Sequence, residues 1–226
     1  MKQINRLLLF LLVLTFLSMS NQKKTKVIFF GDSITQAGVK PGGYIALMTD
    51  SLQRSGRSAS YELIGAGISG NKVYDLYLRL EDDVLAKSPD AVVIWVGVND
   101  VWHKASSGTG TDAAKFEQFY EAIIKKLQAK NIQATLVTPA AIGERTDNSN
   151  QQDGDLNHYS NIIRRLAKKY NTGLVDLRHE FRQYNLVNNP DNKESGILTT
   201  DRVHLNDKGN AFVAEKMYAA LVKNKN

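Results

Sequence analysis

Val27-Ile28-Phe29-Phe30-Gly31-Asp32-Ser33-Ile34-Thr35 decides how the rest of the chain is read. Four consecutive apolar residues without alternation suit a strand buried on both faces, as in a parallel sheet. Gly31-Asp32-Ser33 follows where such a strand would end. Four more segments read as strands: Tyr61–Ile64, Ala91–Val96, Ala134–Thr138 and Leu174–Asp176. Helical stripes lie between and after them. Phe116, Phe119, Tyr120, Ile123 and Leu127 recur at helix spacing behind Asp112, a candidate cap. Leu156, Tyr159, Ile162, Ile163, Leu166 and Tyr170 form a second stripe. Val213, Met217, Ala220 and Leu221 form a third, with Asn206 as its candidate cap. These stripes are core faces. Strand–helix alternation of this kind predicts a three-layer α/β/α domain, a doubly wound parallel sheet covered by helices on both sides. Such sheets carry their sites at the carboxyl ends of the strands.

The chain has 226 residues, enough for one such domain with a sizeable core. It contains no cysteine, which excludes disulfides, cysteine metal sites and a cysteine nucleophile. Lys2 and Arg6 precede an apolar stretch from Leu7 to Leu17, and Ser18-Met19-Ser20 supplies small residues for a cut. That layout predicts a signal peptide over residues 1–20, an α/β domain over 21–226, and a periplasmic or secreted protein. The stretch is too short for a comfortable membrane span of about 20 residues, so no integral span is expected in the mature form. The formal charge is +6 with the positive residues scattered, which argues against a nucleic-acid surface.

The carboxyl-edge rule gathers the chemistry. Ser33 follows the first strand, Gly65-Ala66-Gly67-Ile68-Ser69-Gly70-Asn71 the second, and Gly97-Val98-Asn99-Asp100 the third. Far downstream, Asp201-Arg202-Val203-His204 precedes the last helix. A serine hydroxyl is a weak nucleophile until a base takes its proton, and the base works best when an acid fixes its tautomer. Each residue also has a plainer reading: Ser33 as a helix cap, Asn99 as a turn residue, Asp201 as the acceptor of an Asx-turn, His204 as a surface histidine. His158 and His179 carry no signal, and Glu81-Asp82-Asp83 reads as a solvated helix end rather than a metal site.

The four blocks resemble those of the SGNH hydrolases, also called GDSL esterases and lipases. Gly31-Asp32-Ser33-Ile34 carries isoleucine where the family name has leucine. The resemblance runs from Val27 to the final helix, and it implies a flavodoxin-like sheet of the SGNH type. It further implies that Ser33 is the nucleophile, His204 the base and Asp201 its orienting acid. The backbone N–H groups of Ser33 and Gly70 and the side-chain amide of Asn99 would form the oxyanion hole. Fixed donors of this kind stabilise a tetrahedral oxyanion without reorganising. No cofactor and no metal are expected.

Gly65-Ala66-Gly67-Ile68-Ser69-Gly70 also matches the dinucleotide fingerprint, but the acidic residue expected at the end of the next strand is missing. A nicotinamide enzyme and a catalytically silent carbohydrate-binding protein are therefore the rival classes. Trp102 and His103, close behind Asn99, are candidate substrate contacts, Trp102 by stacking on a sugar ring. The stretch Pro139–Asp155 is polar and no long apolar lid is visible. These features point to a short-chain, acetyl-type esterase acting on a small-molecule or carbohydrate ester, with a lipase, lysophospholipase or thioesterase as the alternative. The leader makes a prediction of its own. Protein produced in a bacterial host should begin near Asn21 when its N-terminus is sequenced; an intact Met1 in the cytosolic fraction would contradict both cleavage and export.

Overall fold

The computed structural model describes residues 23–222, so the leader expected over residues 1–20 lies outside the described residues. Five strands form one sheet: β1 Thr25–Gly31, β2 Tyr61–Gly67, β3 Ala91–Trp95, β4 Gln133–Val137 and β5 Gly173–Val175. Their order is β2-β1-β3-β4-β5 and every pairing is parallel. This is the doubly wound order whose crevice opens between β1 and β3, outside their carboxyl ends. The helices are α1 Ser33–Gly38, α2 Tyr44–Arg54, α3 Val73–Asp83, α4 Val98–Ser107, α5 Ala113–Ala129, α6 Asp153–Tyr170, α7 Leu177–Asn188 and α8 Asp207–Leu221. Packing α2 against α8, and α3 and α6 against α5, builds the helical layers. Among the described residues no helix is long and apolar enough to cross a membrane.

The apolar runs explain the strand order. Ile28, Phe29 and Phe30 in β1 and every residue of β3 are buried, because these strands are flanked by neighbours and covered on both faces. β5 is the short edge strand, and its Gly173 and Leu174 are exposed. All five expected strands are present, with shifted ends. Asp176, expected inside the last strand, instead leaves the sheet and caps α7, accepting a hydrogen bond from the His179 N–H at 3.3 Å. Its carboxylate also holds Arg164 of α6 through two bonds of 2.8 Å. Polar capping thus wins over strand extension at that position.

Two caps were expected and one forms. The Asn206 side chain accepts from Gly209 N–H at 2.9 Å and starts α8. Asp112 occupies the first position before α5 but makes no capping bond; its carboxylate lies 3.7 Å from Lys104 instead. The acidic run Glu81-Asp82-Asp83 ends α3. Asp83 pairs with Arg79 at 2.5 Å, and Glu81 and Asp82 are exposed.

The glycines of the dinucleotide-like run have a different use. Gly65 and Gly67 lie within β2 itself, and a Cβ on Gly67 would sit 2.1 Å from the Gln36 backbone nitrogen. They let α1 lie directly against β2, and no helix N-terminus follows at the spacing a pyrophosphate needs. Gly67→Ala should therefore destabilise the fold by about 1–3 kcal/mol through overpacking. A lowered urea midpoint at unchanged m, equivalent to that loss of free energy, is the expected result; an unchanged midpoint would show that the strand–helix contact can open without cost.

Candidate active site

The turn after β1 sets the first side chain. Asp32 is 2 % exposed, and its carboxylate accepts the Ile34 N–H at 3.0 Å, so Asp32 rather than Ser33 caps α1. The Ser33 hydroxyl is thereby left for another partner. Its Oγ lies 2.8 Å from His204 Nε2. His204 Nδ1 lies 2.7 Å from Asp201 Oδ2, and the other Asp201 oxygen accepts the backbone N–H groups of Val203 (3.1 Å) and His204 (2.8 Å). Asp201 is thus an Asx-turn acceptor and the partner of the imidazole at once. Partial burial pushes the Asp201 carboxyl up. The bonds from the His204 ring, the His204 N–H and the Val203 N–H outweigh that and hold it below the ordinary carboxylate range.

The second and third blocks converge on the same edge. Gly70 has φ of +78°, a left-handed conformation that costs a glycine little. Asn99 stands in the first turn of α4, is 2 % exposed, and donates through Nδ2 to the Asn71 carbonyl at 3.1 Å. Its second amide hydrogen remains for a ligand. The backbone N–H groups of Ser33 and Gly70 have no acceptor among the described residues. Arg79, which the sequence did not single out, ties this edge together. It donates to the Gly31 carbonyl at the end of β1 (2.8 Å), the Ala66 carbonyl near the end of β2 (3.0 Å) and Asn71 Oδ1 (2.7 Å). Its guanidinium lies 4.4 Å from the Phe30 ring centre.

The Trp102 and His103 rings lie next to each other, 5.6 Å apart. The Trp102 ring lies 6.3 Å from the His204 ring and walls a cleft of about 400 Å³ shared with Ile142, Arg145, Asn150, Gln152 and Arg202. His103 does not line that cleft. Burial, and secondarily the nearby Lys72 ammonium, hold its imidazole below the ordinary histidine range. Three larger hollows lie away from every group just described: two, of about 620 and 570 Å³, open toward the amino ends of the strands, and one of about 490 Å³ lies between α2 and α8. The expectation that Pro139–Asp155 is a polar wall holds only in part. Arg145, Ser149 and Asn150 line the cleft, but Glu144 turns inward and is 1 % exposed. Among the described residues no cluster of three His, Asp or Glu side chains is placed to hold a metal.

Comparison with known proteins agrees with this architecture. Residues 29–212 match the model of the GDSL-like Lipase/Acylhydrolase family. The chain belongs to that family. It is a carboxylic ester hydrolase. An acetylxylan esterase of Geobacillus stearothermophilus is 30% identical over 207 residues, spanning 84% of this chain and 90% of the relative. The crystal structure of an acetyl xylan esterase is similar with 69% sequence identity and a TM-score of 0.87, covering 87% of this chain and 100% of that one. An alpha/beta hydrolase enzyme from the metagenome of Lake Arreo, Spain, is 26% identical, with a TM-score of 0.77 and coverage of 89% and 97%.

Two buried carboxylates stand under the site of this esterase. Burial pushes Asp32 up to about 7; the Ile34 N–H bond opposes the rise, the Asp100 carboxylate adds to it, and His204 opposes it. Burial likewise pushes Asp100 up to about 6, although the Val73 N–H donates to its carboxylate. A carboxyl whose folded-state value is raised binds more protons folded than unfolded, so its contribution to stability falls as pH rises. For Asp32 the window runs from about 4 to about 7. Asp32→Asn keeps the capping acceptor and removes the ionisation. The stability of the variant minus that of the wild type should therefore grow through this window, on the order of a few kcal/mol, and level off above it. Denaturant midpoints taken at pH steps check this, and a difference flat across the window would contradict a buried, ionising Asp32.

Proposed function

We propose that this esterase removes short acyl groups, chiefly acetyl, from hydroxyls of a carbohydrate, using Ser33 as nucleophile. The observation that carries the mechanism is the relay Asp201 Oδ2–His204 Nδ1 at 2.7 Å and His204 Nε2–Ser33 Oγ at 2.8 Å. In this reading neutral His204 takes the Ser33 proton as Oγ attacks the ester carbonyl, and ionised Asp201 stabilises the imidazolium. The negative charge that develops on the carbonyl oxygen is met by the N–H groups of Ser33 and Gly70 and the free amide hydrogen of Asn99. The helix α4, which begins beside Asn99, adds the positive end of its dipole. Collapse of the intermediate expels the alcohol, protonated by His204, and leaves an acyl group on Ser33. A water molecule activated by the same histidine then releases the acid.

The substrate reading is supported by the similarity to two acetylxylan esterases and by the cleft beside Trp102. That cleft is walled by an aromatic ring and hydrogen-bonding side chains, which suits a sugar better than an acyl tail. An apolar acyl groove would add about 0.8 kcal/mol for each methylene buried. Without one, longer chains gain nothing. Export through the N-terminal leader would set the enzyme beside extracellular polysaccharides.

Two measurements test the proposal. Ser33→Ala should lower turnover of p-nitrophenyl acetate by roughly four to six decades in a folded protein, and Asn99→Ala should lower kcat by about 10²–10³ with little change in KM. Near-normal turnover by Ser33→Ala, or a loss confined to KM in Asn99→Ala, would contradict the assigned roles. In an acyl series, kcat/KM should fall from acetyl to octanoyl esters, and acetate should be released from acetylated xylooligosaccharides. A steady rise toward octanoyl or palmitoyl would make the enzyme a lipase or lysophospholipase built on the same relay.

A further inference from the structure

Glu144 is 1 % exposed and sits on the loop after β4, far in sequence from every block that carries the chemistry. Its carboxylate accepts three backbone N–H groups in succession: Ile197 to Oε2 at 2.8 Å, Leu198 to Oε1 at 2.7 Å, and Thr199 to Oε1 at 3.1 Å. Those three residues lead directly into Thr200-Asp201-Arg202-Val203-His204. A buried carboxylate is costly unless its lone pairs are filled by good donors, and three charge-assisted bonds do that here. The residues beside Glu144 reinforce the grip. The Gly143 N–H donates to the Arg202 carbonyl at 2.9 Å, the Glu144 N–H to the Glu194 carbonyl at 3.0 Å, and Asn189 Nδ2 to the Glu144 carbonyl at 2.9 Å.

The segment so held needs an external support. Arg202, between the acid and the base, has φ of +85°, a conformation a side-chain-bearing residue keeps only when its surroundings over-determine it. Asp201 fixes the turn from within by accepting Val203 and His204 N–H groups, and Thr200 N–H donates to the His204 carbonyl at 2.8 Å. These bonds shape the turn but do not attach it to the body of the protein. On the far side, the Asn206 N–H donates to the Leu198 carbonyl at 3.0 Å, so the base of the loop closes on the very residue that Glu144 grips. A displacement of about 1 Å at such a support is enough to misalign a reacting pair.

We propose that Glu144 is a positioning residue of the esterase: its carboxylate anchors the loop that carries Asp201 and His204 and so keeps His204 within reach of Ser33. The proposal rests on the roles given above to Ser33, Asp201 and His204. Glu144 touches neither substrate nor reacting atoms; it acts through the backbone of residues 197–199.

The test compares Glu144→Gln, Glu144→Ala and a stability control, Ile124→Val, which trims a buried methyl group from α5. Each is assayed with p-nitrophenyl acetate, and the rate at which a fluorophosphonate modifies Ser33 is measured per folded molecule. A glutamine oxygen still accepts from Leu198 and Thr199, but its amide group meets the Ile197 N–H donor to donor. The expected order is therefore a fall in kcat of about tenfold for Gln and about a hundredfold for Ala, with KM within about twofold of wild type and a parallel fall in the phosphonylation rate. Ile124→Val should lower the melting temperature and leave both rates unchanged. Should Glu144→Ala fail to fold, Glu144→Gln decides. Wild-type kcat and phosphonylation rate in folded Glu144→Gln, or losses that track only the folded fraction as in the control, would overturn the proposal. Full activity of His204→Ala would instead remove the reading on which it rests, so the two failures are distinct.

Discussion

Ser33 and His204 are 171 residues apart in the chain and 2.8 Å apart in space. Holding them there is the constraint on which the rest of the structure depends. A parallel sheet solves half of it, since every strand ends on the same edge and the loops after β1, β2 and β3 meet without further design. The other half is harder. Asp201 and His204 follow no strand, so their loop must be carried back to that edge and tied there. The ties are polar: Glu144 to the backbone at 197–199, Gly143 to Arg202, and Asn206 to Leu198.

The same edge is expensive electrostatically. Asp32 and Asp100 are both buried, the Asp100 carboxylate adds to the cost of ionising Asp32, and neither belongs to the relay. Asp32 caps α1 and frees the Ser33 hydroxyl for His204; Asp100 holds the start of α3 through the Val73 N–H. Their burial is offset by local bonds and by the order they impose on the turns above the sheet. Arg79 supplies positive charge at the ends of β1 and β2 and fixes Asn71, whose carbonyl in turn orients Asn99. A single carbonyl thus joins the second and third blocks, and the amide that would face an oxyanion has its rotamer set by a hydrogen bond rather than by packing alone.

Much of this was legible in the sequence because the signals are local. Uninterrupted apolar runs such as Val27–Phe30 and Ala91–Val96 report strands covered on both faces, and the spacing of Asp201 and His204 reports a turn that presents two side chains together. The strand ends were less legible: Asp176 reads as the tail of a strand, but its carboxylate finds Arg164 and the His179 N–H only in the folded chain. Ser33 and Asp32 are both good caps by type, and only the turn geometry decides that Asp32 takes the Ile34 N–H. Asp112 has a cap's position, and Lys104 draws its carboxylate away. Glu144 was the most misleading. Within Gly143-Glu144-Arg145-Thr146-Asp147 it looks like one more solvated loop residue. Its burial depends on donors more than fifty positions downstream, which no local pattern encodes.

The central claim is that one hydroxyl, on Ser33, is made reactive by this architecture. Labelling the intact enzyme with a fluorophosphonate and mapping the adduct by peptide mass spectrometry tests it most directly. The account predicts one adduct per chain, on Ser33, rising in step with the loss of esterase activity. Complete inactivation with the adduct on another residue, or full activity in protein quantitatively labelled at Ser33, would contradict it.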